Sequence, residues 1–287
     1  RAGDRLAQLG DPRLDAQRCH LPADEMLGFV RIAADPRFMI GTRRQDAARV
    51  SKIIRGEVHD AEINDAPTPT PEFWIARYPV TVAQFRAFVE ATGLAIGDSR
   101  ALADADSRPV RYVSWHEALA WCDWLNEVLS TGQAFAASSI ARLVREHGWW
   151  VALPSELEWE KAARGGLNGS VFPWGDEADP NRANHGGWQI GDTSAVGCFA
   201  ANGFGLFDMV GNVWEWTRSL YLDYPYDPAD PKREDLLAGD DVSRVVRGGS
   251  WRDPRDGARC ASRLRYPPGA RFGDLGFRVV LRSSPVP

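Results

Sequence analysis

The sequence predicts an α+β fold that is rich in loops and built on small antiparallel sheets. Three observations predict it. Helix-start signatures crowd residues 81–165. After residue 166 the texture changes to Gly, Asn, Asp, Pro and Trp without helical periodicity. Short apolar runs stand near both ends, MLGFVRIA and EFWIARY early and GFRVVL late, and each reads as a strand. A chain of 287 residues can bury a substantial core as one large domain or two small ones.

The elements follow in order. Residues 1–26 read as a lead-in segment, with RAGDRLAQLG a short helix stopped by Gly10 and Pro12. The chain begins at Arg rather than Met, so an upstream portion is expected. The main domain is expected over 27–287. Residues 35–71 are charged and proline-punctuated, ending in DAPTPTP, and predict long surface loops. Three capping boxes come next: Thr81 with Gln84, Ser114 with Glu117, and Ser155 with Glu158. In each, two side chains satisfy orphan amides at a helix start. Gly93 and Gly165 are natural stops. Phe85, Phe88 and Val89 share one face of the first helix, and Leu119, Cys122 and Leu125 share one face of the second. SSIARLVREHG predicts a short additional helix. Beyond it, loops and short strands must be held by aromatic packing, for which twelve tryptophans are available.

Composition excludes several functions. A formal charge of −5 without a basic cluster argues against nucleic acid as a partner. Arginine dominates the cations; Lys52, Lys161 and Lys232 are the only lysines. The four cysteines, Cys19, Cys122, Cys198 and Cys260, are too scattered for a zinc site or a disulfide scaffold. No apolar run reaches membrane-spanning length and no signal peptide is visible, which leaves the location open. No G-x-S-x-G elbow, P-loop or dinucleotide fingerprint occurs.

Seven blocks carry a resemblance: YPVTVAQFRAFV, RPVRYVSWHEALAWCDWLN, LPSELEWEKAARGG, FPWGDEADPNRANH, NGFGLFDMVGNVWEWT, RVVRGGSW and LGFRVVL, in this order. Together they resemble the formylglycine-generating enzyme (sulfatase-modifying factor) family over roughly residues 27–281. The resemblance implies a variant of the C-type lectin fold. It also implies two cysteines after GGS that bind copper and activate oxygen, since soft thiolates suit Cu(I). Those positions fall at or near Asp253 and near Ala258, and the one cysteine close by, Cys260, sits in ARCASR like a structural cysteine of the family. A lone thiol cannot supply a bis-thiolate site, so no catalytic residue and no catalytic cofactor are expected. A second enzymatic branch carries a His-x3-His-x-Glu iron site; His20, His59, His116, His147 and His185 do not have that spacing.

The resemblance further implies a structural Ca²⁺ around DMVGNVWEW. Asp208 and Glu215 would contribute carboxylates, Gly211 and Val213 backbone carbonyls. The alternative is that both carboxylates bond to local amides and arginines. A second family calcium site would involve Asn184 and Asp192, but the loop between them differs too much to carry over.

The last forty residues decide the functional reading. Within residues 247–281, GGSW, ARCASR, Arg265, Arg271, Pro268, Gly269 and LGFRVV read as fixed pieces. Between them lie Arg252, Asp253, Asp256, Gly257, Leu264, Tyr266, Pro267, Ala270, Phe272, Gly273 and Asp274. This arrangement resembles the variable region of a diversity-generating retroelement protein. In such proteins, adenine-directed mutagenesis of asparagine codons reaches Arg, Asp, Gly, Leu, Tyr, Pro, Ala and Phe, but not Lys, Gln, Glu, Met or Trp. All eleven positions obey that restriction. Aromatic anchors among small adaptable residues suit a binding surface. Trp251 is expected in the core, Tyr266 and Phe272 exposed. The sequence therefore predicts a non-catalytic display protein that binds a protein or surface ligand, of unspecified identity, through residues 252–274. The alternative is an oxygen-dependent formylglycine-generating or related modifying enzyme. A third reading is an accessory domain of a larger signalling protein.

Overall fold

The computed structural model describes residues 5, 8–187, 190–254 and 256–283. The helix expected within residues 1–10 therefore lies largely outside the described residues. β1 (Leu14–Asp15) and β2 (Leu21–Pro22) form a small antiparallel pair. β3 (Phe29–Ile32) follows, as MLGFVRIA predicted.

Residues 35–71 are more ordered than the expected loops. β4 (Asp35–Phe38) pairs with β5 (Thr68–Thr70), and between them lies the helix α1 (Ala47–Ile54). Val50 and Ile54, one turn apart, bury α1 against Val171 and Phe172. The helix escaped sequence reading because its start lacks a side-chain cap and its end is Arg55 at φ +58° rather than glycine.

β6 (Phe73–Ala76) leads into three helices, α2 (Val82–Thr92), α3 (Trp115–Thr131) and α4 (Ser139–His147). β7 (Trp150–Ala152) and α5 (Glu156–Ala163) come next. All three capping boxes form; at α3, Glu117 Oε2 accepts from Ser114 N at 2.7 Å while Ser114 Oγ accepts from Glu117 N at 3.2 Å. The buried stripe of α3 runs through Trp115, Ala118, Cys122, Leu125 and Leu129, spaced three and four apart; Leu119 is only half-buried.

After residue 166 come β8 (Trp214–Leu220), β9 (Arg244–Arg247), β10 (Arg263–Tyr266), β11 (Leu275–Phe277) and β12 (Val280–Arg282). Two four-stranded sheets result, ordered β3-β6-β12-β7 and β10-β9-β8-β11. The first is antiparallel, as expected; in the second, β11 runs parallel to β8. GFRVVL is accordingly not one strand. The chain leaves one sheet after Phe277 and enters the other at Val280, and Arg278 between them turns inward. In RVVRGGSW the strand ends at Arg247. Phe85, Trp121 and Phe277 meet edge-on where α2 and α3 cover β11, with ring centroids 5.6–6.5 Å apart.

Arginines tie the second half together. Arg247, fully buried, reaches Glu160 and donates to the carbonyls of Cys260, Ala261 and Ser262. Arg263 binds Glu156 at 2.7 and 3.0 Å, and Arg259 binds Glu62 at 2.7 Å through both nitrogens. Each charge is paired, which is what allows it to be buried.

Candidate binding surface

The surface begins with β9 and β10. Their pairing sets Leu264 opposite Val246 and Tyr266 opposite Arg244, and β10 forms the sheet edge. Along β10, Arg263 points into the core while Leu264 stands exposed. The chain then runs through a clamped loop. Trp115 N donates to Pro268 O at 3.0 Å and Tyr112 N to Phe272 O at 2.9 Å. Arg271 Nε bonds Glu117 at 3.0 Å, tying this loop to the capping box of α3.

Side-chain exposure on this backbone sorts the eleven predicted positions. Arg252, Leu264, Pro267 and Phe272 are exposed. Asp253, Asp256, Gly257, Tyr266, Ala270 and Asp274 are half-buried, and Gly273 is buried. Tyr266 departs from its expected exposure because its ring lies between Trp216 and Phe272, with centroids at 6.4 and 4.8 Å. Burial pushes its phenol above the ordinary value. A Cβ on Gly273 would lie 2.6 Å from Tyr112 Oη, so this position cannot accept a side chain without movement. Trp251, expected in the core, is half-buried; its Nε1 donates to Gly273 O at 3.2 Å and Arg252 lies 4.6 Å over its ring.

Asp253 does structural work. Its carboxylate accepts from Trp214 Nε1 at 2.8 Å and from Ser250 N at 2.9 Å, and its carbonyl accepts from Gly186 N at 2.8 Å. Asp274 lies on the other side of Ser250, whose Oγ is 3.4 Å away. Burial raises the Asp274 carboxyl, Arg252 lowers it, and Asp253 raises it again.

Beside these residues opens a cavity of ≈ 240 Å³ between residues 57–62 and residues 253–264. Sequence reading missed Glu57 and His59 on its far wall, because they sit in a segment read as featureless loop. Trp214, also missed, was visible only as part of a block that carries the resemblance.

Two residues near the expected copper positions are buried. Ala258 is buried, and Cys260 is fully buried beneath Val171. Burial pushes the Cys260 thiol up to about 12, so it is not a nucleophile at neutral pH.

The calcium expectation meets a competitor. Arg278 holds both oxygens of Glu215, at 2.7 and 2.8 Å, and Trp159 Nε1 donates to the same carboxylate at 2.6 Å. Asp208 instead accepts from Gly197 N at 2.7 Å. Burial, the largest influence, pushes its carboxyl up to about 6. With Glu215 already neutralised by a guanidinium, this donor set as placed does not fit a calcium ion. Asp192 is likewise paired with Arg108 and Arg111. Asn184 Oδ1 is a buried acceptor without a partner among the described residues. Among the described residues, no three or more His, Cys, Asp or Glu side chains stand together in a way that could hold a metal ion.

Residues 39–283 match the family described as Sulfatase-modifying factor enzyme 1-like domain. The chain is 37% identical over 186 residues to the inactive C-alpha-formylglycine-generating enzyme 2 of Bos taurus, covering 59% of this chain and 49% of that protein. It thus spans about half the length of that relative. Among solved structures, variable protein 1 of Treponema denticola superposes with a TM-score of 0.64 at 25% identity, covering 88% of this chain and 94% of that one. PvdO from Pseudomonas aeruginosa superposes with a TM-score of 0.66 at 24% identity, with the same coverages.

Proposed function

Because the chain belongs to the sulfatase-modifying factor enzyme 1-like family, with its C-type lectin-like fold, we propose that it keeps the family scaffold but not the copper chemistry. It acts as a ligand-binding display protein, a variable protein of a diversity-generating retroelement. The binding surface lies within residues 252–274.

One observation carries this reading. Arg252, Leu264, Pro267 and Phe272 project from a backbone held by hydrogen bonds to Trp115, Tyr112, Glu117 and Trp214. A clamped backbone with exposed side chains lets residues change without loss of the fold. The likeness to a variable protein supports it, as does the likeness to an enzyme named inactive. Asp253 at or near the first expected copper position and Ala258 near the second, with Cys260 fully buried, support the loss of oxidation chemistry.

The genomic neighbourhood tests the retroelement. The expected finding is a reverse-transcriptase gene and an imperfect repeat of the DNA encoding residues 247–281, differing at adenines. Absence of both removes that part of the proposal. Copper-loaded protein incubated with a cysteine-containing sulfatase peptide should give no turnover. Turnover abolished by Cys260→Ser would restore the enzymatic reading.

A further inference from the structure

β10 is the last strand of its sheet, and the alternation of the ladder fixes which of its backbone groups point outward. Ser243 O accepts from Tyr221 N at 3.0 Å and Val245 O from Thr217 Oγ1 at 2.9 Å, so residues 243 and 245 turn their backbone groups towards β8. Along an antiparallel strand these groups alternate in direction. Arg244 and Val246 therefore bond their register partners on β10, Tyr266 and Leu264. The N–H and C=O of Arg265 are left facing away from the sheet. Arg265 is exposed, and no described residue bonds either group. Pro267, which has no N–H, closes the edge at its far end.

The side chains alternate as well. Leu264 and Tyr266 lie on the face of Trp216, where Phe272 extends the apolar ground. Arg265 stands on the opposite face, 4.8 Å over the Tyr221 ring. Unlike Arg263, which grips Glu156, it meets no carboxylate among the described residues.

We infer that β10 takes up an extended segment of a protein ligand as an added antiparallel strand, with an acidic residue opposite Arg265 and an apolar residue on each side of it. The acidic residue exchanges both backbone hydrogen bonds with Arg265 and sets its carboxylate beside the guanidinium. Its two neighbours point to the other face, onto Leu264 and onto Tyr266 with Phe272. This inference rests on the display reading and names the ligand chemistry within it. Arg265 is one of the fixed pieces, whereas Leu264, Tyr266 and Phe272 belong to the interchangeable set. Main-chain bonds do not depend on which side chains flank them. The edge thus keeps a constant hold on the ligand backbone while exchange beside it changes which apolar residues fit.

The probe is fluorescent, end-capped Thr-Val-Glu-Val-Thr, titrated against the whole chain to millimolar concentration at low salt. N-methylation at its Glu removes the N–H that meets Arg265 O and leaves the protein untouched. It should weaken binding by about fivefold, the equivalent of one hydrogen bond. N-methylation at the following Val, whose N–H faces away from β10, should leave binding within about twofold. Replacing the Glu of the peptide by Lys should weaken binding by about fivefold, and Arg265→Gln should abolish that preference. Absence of binding, or equal binding of the two N-methylated peptides, overturns the inference. Binding that tolerates N-methylation at Glu yet depends on Leu264 and Phe272 overturns it while leaving the display reading standing. A chain that sediments as a dimer, dissociated by the peptide, would assign the edge to a second copy and overturn it too. If Leu264→Ser and Phe272→Ser also leave every binder unaffected, both readings fail.

Discussion

Arg278 reaches Glu215 with two hydrogen bonds, at 2.7 and 2.8 Å, and both side chains are almost completely buried. This pair locks the crossing between β11 and β12 onto β8. Removing one partner of a buried pair strands the other charge, at about 3–5 kcal/mol. Glu215→Gln should therefore lower the urea midpoint by that equivalent, and adding Arg278→Met should recover part of the loss. Additive losses would show that the two residues are not coupled.

The same pair decides the metal question. Protein purified without added calcium should contain well below one equivalent, and EDTA should leave its melting temperature unchanged. A stoichiometric ion, with a marked drop in melting temperature on chelation, would mean that Glu215 turns from Arg278 to calcium.

Asp208 supplies a pH signature. Its carboxyl titrates at about 6 in the folded chain against an ordinary 3.8. A raised folded value means that its contribution is intact below about pH 4 and is lost as pH rises through about 6. Asp208→Asn should thus gain on the wild type by roughly 2–3 kcal/mol between pH 4 and pH 7, two units at ~1.4 kcal/mol each. Asparagine also tolerates the φ of +54° found there. A difference between the two proteins that does not change with pH would contradict this assignment.

Within the surface, positions should separate sharply. Gly273→Ser forces an atom against Tyr112 and should destabilise by about 1–3 kcal/mol. Leu264→Ser, on the exposed side of β10, should stay within about 0.5 kcal/mol. Thermal unfolding of both variants checks the contrast. Equal effects would mean that Gly273 is as interchangeable as Leu264.

Thiol labelling separates the cysteines. An aromatic disulfide reagent at pH 8 should modify exposed Cys198 in the native protein and spare Cys122 and Cys260, both buried with raised thiols. Native-state labelling of Cys260 would expose a thiol where the account has none.

What could be read from the sequence was local. The capping boxes at Thr81, Ser114 and Ser155 each need only four residues, and all three formed. The helix at Ala47–Ile54 was missed because neither end carries a local signal. The break inside GFRVVL depends on Glu215, sixty-three residues away from Arg278, and no pattern within the strand announces it. The proposed variable positions were picked by residue type, and residue type does not report exposure. The space at Gly273 is taken by Tyr112, which precedes α3, and Tyr266 is covered by Trp216 from β8. The cavity wall at Glu57 arises only when a segment two hundred residues earlier in the chain folds against the surface.

The central claim is that side chains on this surface can be exchanged to change what binds while the fold stays. The direct measurement is a library randomised at Arg252, Asp256, Leu264, Pro267 and Phe272, selected against an unrelated protein target and assayed for melting. The account predicts that most unselected clones melt within a few degrees of the parent, and that selected clones bind a target the parent does not. A library that largely fails to fold, or one that folds but never yields a new binder, would contradict it.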